Sequence, residues 1–318
     1  MSTSQYRGKK NMVRPVTHIV VVASFMMDLT TRLKRLPLRG ETVFGDEFKS
    51  GAGGKGSNQA VCARRLGSEV TVIVKIGSDM FGEAALQNFK DEGFDTGLIF
   101  IDDEHPTGVA PIFVEETGEN IIAIVPGANS YLTPRDVARG KNRIKEAGVL
   151  LTNFEIPLET SLYALETAKG FGCTTILNPA PAPREPVDDK LFRFVDILTP
   201  NETEAKGLLG KLDRDMAPEE SAGELMERGV GTVVMTLGER GAFYLHGGGQ
   251  GRVPALKVNT IDATGAGDAF NGALAVSVAE GKGLEDSILF ANRVAALSTT
   301  RFGTAPAMPF RHELDSFS

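Results

Sequence analysis

The stretch Val149–Asn178, "VLLTNFEIPLETSLYALETAKGFGCTTILN", sets two short apolar runs on either side of a segment with helical patterning. Neither run, VLLTN nor TTILN, alternates apolar with polar residues as a half-exposed strand would. Fully apolar runs separated by helices argue for a parallel sheet covered on both faces. The same pattern continues in "VDILTP" (195–200) and "TVVMTL" (232–237). It is also present upstream. "HIVVVAS" (18–24) and "VTVIVKI" (70–76) read as buried strands, while "SNQAVCARRLG" (57–67) and "FGEAALQNFKDEG" (81–93) have helix composition. Gly67 and Gly93 are placed to stop those helices. The expectation is an α/β fold with a mostly parallel central sheet.

Two segments break the rhythm. Residues 28–51 and 108–126 hold β-type runs with no helix between them, "ETVFGDEFKS" and "GVAPIFVEETGENIIAIV". In the second, "EETGEN" reads as a hairpin tip. A small extra sheet is expected from these segments, either a lid over a site or an extension of the sheet edge. Residues 1–15 are polar and are expected to be a disordered extension. No internal repeat or low-complexity tract is present.

The 318 residues are 42% apolar and 24% charged, ordinary for a globular chain, and the core must be built without Trp. A net charge of −7 disfavours nucleic acid and anionic membranes as partners. The densest basic run, "RLKRLPLR" (32–39), reads as a solvated loop or strand edge. Cys62 and Cys173 lack metal-site spacing and are expected as buried thiols of a reducing compartment. Lys9, Lys10 and Arg14 ahead of "HIVVVASFMM" resemble an export signal. The apolar run ends too soon, at Asp28, and no small-residue cleavage site follows. No run approaches the roughly 20 apolar residues needed to span a bilayer. A cytoplasmic protein is expected.

Two glycine clusters carry the chemistry. In "DATGAGDAFNGAL" (262–274), Gly265, Ala266 and Gly267 precede a helix beginning near Asp268. Helix starts leave N–H groups unpaired and bear partial positive charge, so small residues there can form an anion hole from backbone amides alone. Asp268 is then either a helix-capping residue or a general base beside a phosphoryl group. The second cluster, "GAGGKGSNQA" (51–60), also precedes a helix. It does not fit a Walker A loop. It is either a hinge or a source of hydrogen-bonding groups, Lys55 and Asn58, for a polyhydroxylated ligand.

Taken in order, "GGKGSNQA" (53–60), "TPNETEA" (199–205) and "DATGAGDAF" (262–270) resemble the PfkB, or ribokinase, family of carbohydrate and nucleoside kinases. The likeness runs from about Ile19 to Pro309. "GETVFGDEF" (40–48), "NPAPA" (178–182) and "TLGERG" (236–241) bring it toward the ribokinases. The resemblance implies a ribokinase-like three-layer α/β/α kinase domain over residues 16–318, with a small β-sheet lid inserted from about 28–51 and 108–126. It implies Asp268 as the base for the sugar 5-hydroxyl, with Gly265, Ala266 and Gly267 as the anion hole. Sugar hydroxyls would be held by Asp28, Gly54, Lys55, Asn58, Glu155 and Asp268. ATP would meet Asn201, Thr236, Gly238, Gly241, Gly267 and Asn292. Glu204 would organise Mg2+ through water. Asp262, Thr264, Ser298, Arg301, Gly303 and Ala307 would hold a monovalent cation, usually K+, largely through backbone carbonyls. A homodimer joined through the lids is implied as well.

One position departs from the pattern. Where many ribokinases have Asn, two residues before the first sugar-binding aspartate, this chain has Met26. Met hydrogen-bonds hydroxyls poorly. The expected function is phosphorylation of D-ribose to ribose 5-phosphate by ATP. Deoxyribose, nucleosides and other sugars are alternative acceptors. A non-catalytic sugar or nucleotide sensor is a different class, and it would be marked by loss of Asp268 or its glycines.

Overall fold

Along His18–Val22 (β1) the side chains divide between two cores: Ile19 and Val21 enter one, Val20 and Val22 the other, all fully buried. The apolar run is therefore apolar because both of its faces are covered. The structure, a computed structural model, describes residues 17–117, 119–183 and 186–317. The N-terminal extension expected over residues 1–15 lies outside the described residues.

The remaining strands are Met26–Leu33 (β2), Glu47–Gly53 (β3), Glu69–Gly77 (β4), Ile99–Asp102 (β5), Gly108–Glu115 (β6), Asn120–Ile122 (β7), Val149–Asn153 (β8), Thr174–Asn178 (β9), Ile197–Leu198 (β10), Thr232–Thr236 (β11), Ala242–His246 (β12) and Gly249–Val253 (β13). Nine form one sheet in the order β13-β12-β11-β10-β9-β8-β1-β4-β5. It is parallel except at β11/β12 and β12/β13. One core packs helices Lys55–Arg65, Met80–Asp91, Ala266–Ala279 and Leu284–Ser298 against the sheet. The other packs helices that include Leu158–Gly170 and Pro218–Glu227 on the opposite face. These are the three layers expected.

Helix Lys55–Arg65 and helix Ala266–Ala279 approach at Gly272. A Cβ there would lie 2.6 Å from the Gln59 carbonyl oxygen and 2.8 Å from Cys62 Cβ. Any larger residue would hold the helices apart. Cys62 and Cys173 are buried and unbonded to each other, as expected. Among the described residues no helix is long and apolar enough to cross a membrane.

Four strands make a separate small sheet in the order β3-β2-β6-β7. Its base is pinned by buried Asn129, whose Oδ1 accepts the Phe25 N–H at 2.9 Å. Asn129 Nδ2 donates to the carbonyls of Phe25, at 2.7 Å, and Pro126, at 2.8 Å. One bifunctional side chain thus fixes the places where the chain enters and leaves this sheet.

Two sequence runs give less strand than expected. "ETVFGDEFKS" is strand only from Glu47; its first residue, Glu41, is held in a turn, accepting from Arg35 Nη1 at 2.7 Å and from the Leu38 N–H at 2.9 Å. "VDILTP" is strand only at Ile197–Leu198. Just before it, the Asp196 carboxylate folds back onto the Thr175 N–H and hydroxyl, both at 3.0 Å.

Candidate active site

From β1 the chain proceeds to β4 on one side, and later to β8 on the other. Such a switch point opens a crevice at the carboxyl ends of the strands. Those ends deliver Ser24 after β1, Asn153 and Glu155 at β8, Asn178 at β9, Thr199 and Asn201 after β10, and Thr236 at β11.

Helix Ala266–Ala279 begins at this crevice. Gly265 is its N-cap in the left-handed region (φ 79°), and no side chain caps the first turn. The Ala266 N–H donates to the Ala263 carbonyl at 3.2 Å, whereas those of Gly265, Gly267 and Asp268 have no backbone partner among the described residues and are left for a ligand; Gly267 is exposed. Asp268 is 5% exposed. It does not cap the helix. Its Oδ2 accepts from Asn58 Nδ2 at 3.0 Å and its Oδ1 from Gln59 Nε2 at 3.2 Å. Burial raises its carboxyl above the usual range, against the opposing pull of Lys55 and the two amides.

Gly54 explains the second cluster. It has φ 90°, and a Cβ there would stand 2.8 Å from the Met26 backbone nitrogen. The glycine lets the helix start on top of the chain leaving β1. Glu155 Oε2 then accepts from Ser24 Oγ at 2.5 Å and from the Lys55 N–H at 2.8 Å. Negative charge on Asp268, and then on Glu155, Glu204 and Asp28, holds the Lys55 ammonium more firmly protonated than usual. Burial raises Glu155 and Glu204.

Asp28 lies in a cleft of about 510 Å³ between the small sheet and the loops holding Asp262, Thr264, Gly303 and Thr304. Its Oδ2 accepts from Thr304 Oγ1 at 3.0 Å, and burial raises its pKa to about 6. Met26 is buried with Ala110 and Ile112 and does not line the cleft directly, although Ile112 does.

The candidate nucleotide residues lie along one side. Asn201 bridges to Thr236 across the strand ends. Asn201 and Glu204 form a reciprocal capping box, at 2.8 and 2.9 Å, so both side chains also start helix Glu202–Leu208. Gly238 and Gly241 flank a single helical turn. Asn292 Nδ2 donates to the carbonyls of Val253 and Pro254, both at 3.1 Å.

In the last group, Asp262 accepts the N–H of Thr264 at 2.9 Å and of Gly303 at 3.0 Å, lacing two loops together. Ser298 Oγ donates to the Ala295 carbonyl at 2.8 Å, and Ala307 is buried in a single helical turn. Arg301 pairs with Glu313 at 2.6 Å, which leaves its backbone as the part free to face the loops. The sequence reading gave no role to Ser24, Gln59 or Thr304, although Gln59 lies inside "GGKGSNQA" and Thr304 inside "TRFGTAPA" (300–307), the stretch that carries part of the expected cation site.

The family model described as pfkB family carbohydrate kinase matches residues 16–311. A deoxyribokinase of Salmonella typhi is 36% identical over 300 residues, covering 94% of this chain and 98% of that protein. A ribokinase of Lactococcus lactis is 38% identical over 298 residues, covering 92% and 94%. A structure of Arabidopsis thaliana ribokinase complexed with ribose and ATP superposes with a TM-score of 0.86 at 29% identity, covering 95% and 98%. The chain belongs to the pfkB family of carbohydrate kinases.

Asp28 gives a folding test. Its carboxyl holds a proton more tightly folded than unfolded, so its ionisation costs stability as pH rises from about 4 to 6. Asp28→Asn keeps an acceptor for Thr304 and loses the charge. Thermal melts are expected to show the variant above the parent near pH 8, with the gain gone below about pH 4. Equal melting temperatures near pH 8 would mean that the carboxylate carries no folding cost.

Proposed function

We propose that this chain is an ATP-dependent pentose kinase that transfers the γ-phosphoryl group to O5, with D-ribose as the first reading of the acceptor. The observation that carries it is the buried Asp268 carboxylate, held by Asn58 and Gln59 three residues after an uncapped, glycine-led helix start. A base and an amide cradle one helical turn apart are what in-line transfer to a hydroxyl needs.

In this reading Asp28, Gly54, Lys55, Asn58 and Glu155 hold the sugar hydroxyls. Asp268 takes the O5 proton as O5 bonds to the γ-phosphorus. The bond from that phosphorus to the β,γ-bridging oxygen breaks, and ADP leaves. The N–H groups of Gly265 and Gly267 face the charge on the transferring group, while the Ala266 N–H, bonded to the Ala263 carbonyl, holds the turn in shape. Asn201, Thr236, Gly238, Gly241 and Asn292 border the nucleotide. The small sheet acts as a lid that excludes water, which would otherwise compete as acceptor.

Among the described residues no cluster of three or more His, Cys, Asp or Glu is placed to hold a metal. A Mg2+ would be held chiefly by ATP phosphates and water, with Glu204 organising that water. Asp262 would give a K+ site its one carboxylate, and its bonds to the N–H groups of Thr264 and Gly303 bring the two loops together so that their backbone carbonyls could join it. Ser298, Arg301 and Ala307 would add backbone carbonyls. Such a cation would supply fixed positive charge beside the anion cradle.

Support for a homodimer comes from the sheet face opposite the cleft. Phe48, Thr31, Phe113 and Ile121 pair in one row across all four strands, and the three apolar members are exposed. A second copy of the same sheet would cover them. Light scattering that read a monomer at micromolar concentration would overturn it.

Asp268→Asn is expected to lower kcat by about 10²–10⁴-fold and to leave sugar KM within a few-fold. Near-normal turnover would refute the base. The same assay in sodium-only buffer is expected to run slower than in potassium, and equal rates would remove the cation from the reaction.

Met26 favours a second reading, 2-deoxy-D-ribose. It is apolar, on the same face of β2 as Asp28, and backed by Ala110 and Ile112. Buried behind the cleft wall that Ile112 forms, it leaves that wall apolar and offers a sugar hydroxyl no donor or acceptor. Met26→Asn is expected to raise the ribose-to-deoxyribose ratio of kcat/KM about tenfold, the worth of one hydrogen bond. An unchanged ratio would place the selectivity elsewhere.

A further inference from the structure

The base reading leaves one neighbour without a role. Gln59 is fully buried, and its Nε2 lies 3.2 Å from Asp268 Oδ1 and 3.0 Å from Asn178 Oδ1. Asn178 Nδ2 donates to the Thr199 carbonyl at 3.0 Å. Thr199 Oγ1 donates to Asn271 Oδ1 at 2.5 Å, and Asn271 Nδ2 donates to the Gly267 carbonyl at 2.8 Å. The path runs from the base through helix Lys55–Arg65, the ends of β9 and β10, and back to the turn that carries the base. Asn178, Thr199 and Asn271 are each at most 6% exposed.

The polar accounting gives the ring a direction. A carboxylate accepts only, so both carboxamides must turn their N–H groups toward Asp268. Gln59 Oε1 and Asn58 Oδ1 are thereby left buried with no partner among the described residues. Leaving a buried carbonyl unpaired is costly, so these amides are oriented for the carboxylate rather than for their own satisfaction.

We propose that Gln59 is a positioning residue for Asp268. Clamped through Asn178 and Thr199, its carboxamide fixes the plane of the carboxylate and stabilises it as the anion, leaving the remaining lone pairs for the acceptor hydroxyl. The ring also passes through Thr199, two residues before Asn201, so the strand end that borders the nucleotide shares the support of the base. This rests on the reading of Asp268 as the base.

The test is the pH dependence of kcat/KM in Gln59→Met, which keeps length and loses the donor. Other groups acting on Asp268 stay in place: Lys55 and Cys62 on the same helix as Gln59, Asp28 on the small sheet, Glu155 after β8 and Glu204 on helix Glu202–Leu208. Burial raises the Cys62 thiol, which keeps it neutral throughout. A donor to the anion lowers its pKa, so losing it raises the pKa. Activity is then lost at a higher pH on the acid side. The acidic limb is expected to move up by about half to one pH unit, with kcat down about tenfold and sugar KM within about threefold. Asn178→Ala, which frees the Gln59 carboxamide without touching Asp268, is expected to move the limb the same way by less.

A limb that stays in place in both variants, with turnover lost in Asp268→Asn, overturns the role of Gln59 and spares the base. Retained turnover in Asp268→Asn overturns both. A variant that merely melts lower with an unmoved limb marks Gln59 as packing only.

Discussion

Burying the charge of Asp268 is the constraint on which the site is built. A carboxylate taken from water costs several kcal/mol unless it is paired and hydrogen-bonded. Here the compensation comes from one helix turn, since Lys55, Asn58 and Gln59 stand at i, i+3 and i+4 and share a face. For that face to reach Asp268, helix Lys55–Arg65 must sit close against helix Ala266–Ala279, and Gly272 permits the approach. The same helix start must lie on the chain leaving β1, and Gly54 permits that. The glycines of two distant motifs thus serve a single electrostatic need.

Much of this was legible in the sequence. Apolar runs without alternation, as in VLLTN, could be stable only between two covered faces. The glycine-led turn before Asp268 carried its own physical reading. Less legible were contacts closed by tertiary approach. Gln59 meets Asp268 across 209 positions of chain, and its letter in a helical run says nothing of which way the amide turns. Thr304 reaches Asp28 across 276 positions. Local reading also overestimated β3, which begins only at Glu47, six residues after a turn that Glu41 closes. Asn201 and Glu204 show the reverse case. Their motif pointed to ligands, and the structure adds a capping box that sequence spacing alone already allows.

The site carries more negative than positive charge. Asp28, Glu155, Glu204 and Asp268 surround Lys55, and burial raises all four carboxyls. A core selected for stability alone would not gather four acids about one lysine. Such an arrangement trades folding free energy for a pocket rich in acceptors. The fold bears that cost because the acids sit near the ends of elements, Asp28 at the start of β2, Glu155 just after β8, and Glu204 and Asp268 in the first turns of their helices, while two apolar layers lie behind them.

The turn at Gly265–Gly267 has a different consequence. Its positive end is made of peptide dipoles, and no proton can be added or removed there in ordinary buffers. In the proposed function, acidity therefore disables the acceptor side while the phosphoryl side stays intact. Heredity treats the two sides differently too. One base change can erase Asp268, but the cradle belongs to no single side chain, and only a change in the course of the backbone would dismantle it.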